Sequence, residues 1–214
     1  MRGIVFDLDG TLTDSKPGLL ASLRHMHDAM GWEQPDEAVL VTWLGPPTAT
    51  ILAEAGHDQT VVDRAIAAFR ERLQAGGLVE SSMYDGMDAL LADLHASGMP
   101  LAIATHKIQA DAETVAAHYG LDAQVRGVHG RMPGEQHHSK AAVIERALAS
   151  LGLEPAEAVM VGDRVNDIAS AKELGMRSIG VAYGYGGRAE LEEAGADDVV
   201  DTVAELRALL LPSA

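Results

Sequence analysis

Two aspartates one residue apart, Asp7 and Asp9, follow the apolar run Ile4-Val5-Phe6 and are closed off by Gly10-Thr11. A carboxylate at the end of a strand buried on both faces stands where ligands of parallel α/β sheets gather. Alone, such a string equally describes an acidic turn punctuated by glycine. Three later positions repeat the theme. Thr105 ends the run Leu101–Ala104, Lys140 opens a helical pattern, and Asp163, with Asp167 following, ends Ala158-Val159-Met160-Val161-Gly162. The carboxyl ends of parallel strands share one edge, so these groups can converge on one pocket. Asp7, Asp9, Asp163 and Asp167 would repel one another unless a cation lay among them, and an all-oxygen set selects hard Mg²⁺. Thr105, Lys140 and the backbone N–H groups of the Gly10 turn supply the donors and charge that a phosphate needs. The combination describes phosphoryl transfer: Asp7 attacks phosphorus, and Asp9 protonates the leaving oxygen and later takes a proton from water. Neighbouring negative charge would favour the protonated Asp9 that the first step requires.

The elements that must position these residues fall into two kinds. After the first strand, Leu19, Leu20, Leu23, Met26, His27 and Met30 recur at helical spacing until Gly31, and a second helix follows Pro35. A third runs from Thr48 to Ala55, and a fourth starts after the N-cap Asp58 with Val62, Ala65, Ile66, Phe69 and Leu73 on one face. The stretch 15–80 therefore reads as a small helical domain inserted after the first strand, and 1–14 with 81–214 as a discontinuous α/β core. From Met83 onward helices alternate with short apolar strands, the pattern of a Rossmann-like parallel sheet with helices on both faces. Expected strands are Leu101–Thr105, Gln124–Val128, Ala158–Gly162, Ser178–Ala182 and Asp198–Val200; Tyr183–Gly187 reads as a loop, and Thr202 with Glu205 as a capping box.

At 214 residues and a net charge of −16, the chain can bury a sizeable core but lacks the basic patch that nucleic acid or an anionic membrane would need. It has no cysteine, hence no disulfide or thiolate metal site. No apolar stretch is long enough to span a membrane, and the first strand starts too close to Met1 for a signal peptide. The expected setting is cytoplasmic, as a monomer or homodimer.

Asp7-Leu8-Asp9-Gly10-Thr11-Leu12, Thr105, Lys140 and Gly162-Asp163-Arg164-Val165-Asn166-Asp167 resemble, in order, the four motifs of the haloacid dehalogenase-like hydrolase superfamily, and the helical insert resembles its small cap. The resemblance implies Asp7 as nucleophile and Asp9 as acid/base. It implies Mg²⁺ held by the Asp7 carboxylate, the Asp9 main-chain carbonyl and Asp163, with Asp167 close by or acting through water. Thr105 and Lys140 would bind the phosphoryl group, and the cap would close over a small anionic phosphomonoester. Leu44-Gly45-Pro46-Pro47 and Gly180–Gly186 are similar to the phosphoglycolate phosphatase-like branch, which includes 5′-nucleotidase-like members. His106 and His137 depart from that pattern, standing where a small hydroxyl residue and an arginine are common.

Trp43, Gly45 and Arg70 are the candidate substrate contacts of the insert, beside Lys16, Arg24 and Arg72, and Tyr183 and Tyr185 are candidates for the pocket rim. His129, His137 and His138 read as a solvated loop rather than a transition-metal site. Two other functions use the same parts. A sugar phosphomutase returns the phosphoryl group to its substrate; a receiver-like phospho-switch keeps it on the aspartate, though from a middle strand and without a helical insert.

Overall fold

The computed structural model of the protein describes residues 1–132 and 139–211. The chain divides into two compact units, Met1–Asp14 with Met83–Ala214, and Ser15–Ser82.

The first unit is built on a six-stranded sheet. In chain order its elements are β1 (Gly3–Phe6), β2 (Thr13–Asp14), β3 (Ser82–Met83, at the boundary), α5 (Met87–Ala96), β4 (Leu101–Ile108), α6 (Gln109–His118) and β5 (Val128–Arg131). They continue through α7 (Lys140–Leu151), β6 (Ala158–Gly162), α8 (Val165–Glu173), β7 (Arg177–Val181), α9 (Gly187–Ala194), β8 (Asp198–Val200) and α10 (Val203–Leu210). The sheet order is β5-β4-β1-β6-β7-β8, and β2 pairs with β3 in a separate ribbon. Every neighbouring pair of the large sheet is parallel. The chain winds outward from β1 through β4 to β5, then crosses to β6 on the other side of β1. That reversal is the point of a doubly wound sheet where ligands bind, beyond the strand ends.

The continuous apolar runs are strands buried on both faces, as their lack of alternation requires. All residues of β1 and β6 are buried. Val5, Ala102, Ala104 and Met160 pack with Val143, Ile144, Ala147 and Leu148 of α7 and Ala171 of α8, each larger side chain contributing about 1.5–3 kcal/mol of burial. Phe6 pairs with Ile103 of β4 and Val161 of β6, which fixes the level at which Asp7 leaves the sheet.

The second unit is built of helices joined by loops: α1 (Lys16–Met30), α2 (Glu37–Thr42), α3 (Thr48–Glu54), α4 (Gln59–Arg72) and a π-helical turn over Leu73–Gly77 that breaks at Gly76, whose φ is +134°. Leu20, Leu23 and Met26 of α1 and Val62, Ala65 and Ala68 of α4 are its buried stripe. Asp58 caps α4, its Oδ1 accepting from the Val61 N–H at 3.0 Å. Gly18 lets α1 approach the π-helical turn, since a Cβ there would lie 1.9 Å from the Gly77 carbonyl oxygen. No helix among the described residues is long and apolar enough to cross a membrane.

Four expectations are corrected. The strand placed at 124–128 begins at Val128, because the Gln124 and Val125 N–H groups instead bond the Leu121 carbonyl in a turn that follows α6. Strand β4 runs three residues past Thr105, to Ile108. Helix α9 starts at Gly187, where a glycine-rich loop hides it and only Leu191 is buried. Thr202 Oγ1 does accept from the Glu205 N–H, but the Glu205 carboxylate accepts from the Asp201 N–H rather than closing a box on Thr202.

Candidate active site

Beyond the β1 and β6 ends the chain places Asp7, Asp163 and Asp167, all buried, with carboxylate oxygens within 4.8 Å of one another. Lys140, the first residue of α7, enters this cluster: its Nζ lies 2.7 Å from Asp7 Oδ1 and 2.6 Å from Asp167 Oδ1. A lysine at a helix N-terminus opposes the dipole, and the two carboxylates account for its position. They also outweigh burial: desolvation disfavours the ammonium, but Asp167 and Asp7 hold the Lys140 pKa above the ordinary lysine range.

The carboxylates respond the other way. Burial pushes Asp7 up to about 7 against the opposing pull of Lys140, with Asp167 and Asp9 adding to the rise. Burial, then the charges of Asp7 and Asp167, hold Asp163 well above the carboxylate range. Negative charge is thus concentrated beyond what one lysine neutralises. The donor set is oxygen only, which fits a hard divalent cation and not a soft one.

Asp163 and Asp167 are each held by a backbone N–H. Asp163 Oδ2 accepts from the Tyr185 N–H at 2.7 Å, and Oδ1 from Thr11 Oγ1 at 3.3 Å. Asp167 Oδ2 accepts from the Arg164 N–H at 3.1 Å, closing the first turn of α8. The Tyr185 contact depends on two glycines. A Cβ on Gly10, whose φ is +86°, would lie 2.2 Å from Asp163 Oδ2, and one on Gly184 2.3 Å from Asp163 Cβ and 2.4 Å from the Gly10 carbonyl oxygen. Gly184→Ala is therefore expected to cost about 1–3 kcal/mol by overpacking, read as a lower urea midpoint at unchanged m-value.

Thr105 is buried, and its hydroxyl accepts from the Lys107 N–H at 3.2 Å. The Asp9 carboxylate stands apart from the three-aspartate cluster: its Oδ2 pairs with Lys107 Nζ at 3.1 Å. Lys107 is missing from the sequence expectations. Its spacing two residues beyond Thr105, the interval that returns a strand side chain to the same face, is the signal that would have found it.

Tyr183 and Tyr185 do lie against this edge: the Tyr183 hydroxyl donates to the Thr11 carbonyl at 3.1 Å, and the Tyr185 hydroxyl to Asp14 Oδ1 at 3.4 Å. Burial pushes both phenols above the ordinary tyrosine range, so they remain donors. His129 bonds Ser150 Oγ through Nε2 at 3.0 Å, and burial followed by Arg146 lowers its pKa. Among the described residues the potential metal-holding group is the aspartates, not histidines; His137 and His138 lie outside those residues. The His106 carbonyl accepts from Arg131 Nε at 2.6 Å.

In the helical unit, the Trp43 ring packs on His27 at 5.6 Å between centroids, Gly45 takes a φ of +110°, and Arg70 is half-buried. Arg24 pairs with Glu37 at 3.1 Å, and Arg72 grips both oxygens of Glu80 at 2.8 and 2.7 Å. Those two arginines are committed to ion pairs within the unit.

Parallel sheets put their chemistry at this edge, and a buried carboxylate group that could hold a cation beside a lysine gives it the parts of an α/β enzyme acting on an anionic substrate. The chain belongs to the haloacid dehalogenase-like hydrolase family, whose model matches residues 4–181. Over 97% of its length it is 36% identical to the tyrosine-protein kinase PtkA of Mycobacterium tuberculosis, 72% of which is covered. It is 35% identical to the 5′-nucleotidase of Pseudomonas aeruginosa over 88% of this chain and 86% of that one. To the phosphoglycolate phosphatase of Rhodospirillum rubrum it is 31% identical over 96% of this chain and 89% of the relative. A crystal structure of a predicted phosphatase from Clostridium acetobutylicum superposes with a TM-score of 0.92 at 34% identity, covering 98% of both chains. The enzyme class is that of the family's phosphatases.

Proposed function

We propose that the protein is a Mg²⁺-dependent phosphatase that hydrolyses a small phosphomonoester, of nucleoside 5′-monophosphate or phosphoglycolate type, through a phosphorylated Asp7. The observation that carries this reading is the buried Asp7, Asp163 and Asp167 group with Lys140 bridging two of its members.

In the first step an Asp7 oxygen forms a bond to phosphorus while the phosphorus–alcohol bond breaks. The electron pair leaves on the alcohol oxygen, which takes a proton from Asp9. In the second step water attacks the same phosphorus, gives its proton to Asp9, and the bond to Asp7 breaks to release phosphate. Lys140 holds Asp7 in line and, with the Thr105 hydroxyl, binds the phosphoryl oxygens. Mg²⁺ would be held by Asp7, the Asp9 main-chain carbonyl and Asp163, with Asp167 beside them, and when bound it supplies charge that neutralises carboxylates and phosphoryl oxygens alike. The helical unit, as the cap, selects the ester; we assign Trp43, Gly45 and Arg70 to that task. The protein acts as a monomer or homodimer in the cytoplasm.

The test is phosphate release from nucleoside 5′-monophosphates, phosphoglycolate, sugar phosphates and a phosphotyrosine peptide, each with Mg²⁺ or EDTA. Turnover of a small ester that vanishes in EDTA is the expected result. The mycobacterial relative's name favours one second reading, transfer to a hydroxyl acceptor rather than water. Labelled phosphate moving from ATP to a tyrosine peptide, with none released from the esters, would establish it instead.

A further inference from the structure

Lys107 is a long, flexible side chain held where water is scarce: 6% of the side chain is exposed. Dry confinement of an ammonium is unfavourable unless its charge is matched, and the match is Asp9, whose Oδ2 lies 3.1 Å from Lys107 Nζ. Lys140 is already committed to Asp7 and Asp167. Each lysine therefore holds its own acids: Lys140 the nucleophile and its neighbour, Lys107 the acid/base.

The placement of Lys107 follows from its strand. β4 continues to Ile108, and its register with β5 shifts between Ala104 and Ile108, so the irregular segment contains both Thr105 and Lys107. Within it the Lys107 N–H donates to Thr105 Oγ1 at 3.2 Å. The Thr105 oxygen is thereby an acceptor toward its own strand, which leaves its hydroxyl hydrogen to donate elsewhere. One residue thus orients two groups of the reaction, a hydroxyl through its backbone and a carboxyl through its side chain.

The pairing makes the two oxygens of Asp9 unequal. Oδ2 is engaged by Lys107, whereas Oδ1 is buried and, among the described residues, has no hydrogen-bond partner. A buried polar atom left without a partner is rare and calls for a reason. We propose that Lys107 is the positioning residue of proton transfer: it holds Asp9 by Oδ2, through a hydrogen bond while Oδ1 carries the proton and as an ion pair once the proton has left, so that Oδ1 is the atom that gives a proton to the leaving alcohol and takes one from water. This deepens the phosphatase reading and rests on it.

Leaving-group dependence tests the assignment. p-Nitrophenol departs as a stable anion and needs no proton, whereas an alkyl alcohol does. In the Mg²⁺-loaded enzyme, Lys107→Met is expected to lower kcat/KM for an alkyl phosphate by about 10²-fold, while kcat/KM for p-nitrophenyl phosphate falls by less than about threefold. Because the return of the proton from water also needs Asp9, the variant should release a burst of p-nitrophenolate stoichiometric with enzyme. Lys107→Arg should recover much of the alkyl phosphate activity, since it restores the charge. Retained p-nitrophenyl phosphate activity is itself the control for folding. Equal loss on both esters, in the methionine and arginine variants alike, would overturn the proposal in favour of a purely structural lysine. A rise in KM at unchanged kcat would overturn it in favour of a substrate-binding one. Wild type that hydrolyses neither ester fails the phosphatase reading itself, a result separable from either.

Discussion

Asp7→Asn is expected to lower phosphate release by about 10⁴-fold or more, the scale at which loss of a nucleophile that works as part of a unit is felt. The amide keeps the shape of the carboxyl but cannot form the acyl-phosphate bond, and it removes one oxygen anion from the group of three that fits a cation. The stability effect runs opposite to the usual cost of altering a buried polar residue. Burial raises the Asp7 pKa to about 7, so above that pH the metal-free fold carries a charge it disfavours, and the neutral amide relieves it. Lys140 keeps Asp167 as a partner at 2.6 Å, so the substitution does not strand an ammonium. The variant should therefore unfold in EDTA at pH 8 no more easily than wild type, while activity disappears. Measuring both on one preparation separates lost chemistry from lost structure. Residual turnover above about 1% of wild type would remove Asp7 from the nucleophile's role.

Much of this centre was legible because the chain writes it at strand ends. Asp7, Thr105 and Asp163 each close or follow an uninterrupted apolar run, and Lys140 opens a periodic one; those patterns place residues on one edge whatever the loops do. Lys107 was not legible, because its importance comes from β4 continuing past Thr105 with a shifted register, which apolar content cannot signal when the added residues are His106, Lys107 and Ile108. Tyr185 was legible only as a side chain, whereas its work on Asp163 is done by a backbone N–H. Helix α9 was lost for want of an apolar stripe, Leu191 being its one buried residue. Arg24 and Arg72 illustrate the reverse error. A basic residue on a helix reads as a possible anion contact until its acidic neighbour, Glu37 or Glu80, is seen in place.

The metal-free protein is expected to lose stability as pH rises from about 4 to about 7, with Mg²⁺ restoring it most strongly at the upper end. An aspartate whose pKa is raised by folding binds its proton in the native state while the unfolded chain has already lost it. Native protons then exceed unfolded ones, and the slope of unfolding free energy against pH is negative. For Asp7 the window runs from the ordinary carboxylate value of 3.8 to about 7, which is on the order of 4 kcal/mol at most. Asp163 acts in the same direction. Lys140 does not cancel this: its raised pKa lies above the ordinary lysine range, so it stays charged across the window, and its contribution is lost only when the pH rises through that higher value. Mg²⁺ competes with protons for the same oxygens, so its binding strengthens as they leave, and it stabilises the fold by mass action. The measurement is chemical unfolding at half-unit pH intervals from 4.5 to 8 in EDTA and in excess Mg²⁺. The two curves should diverge with increasing pH, and Asp7→Asn should narrow the divergence by flattening the EDTA curve. An EDTA curve that rises with pH would mean that these carboxylates are stabilised as anions by the protein alone, and the cluster would then have no need of a cation.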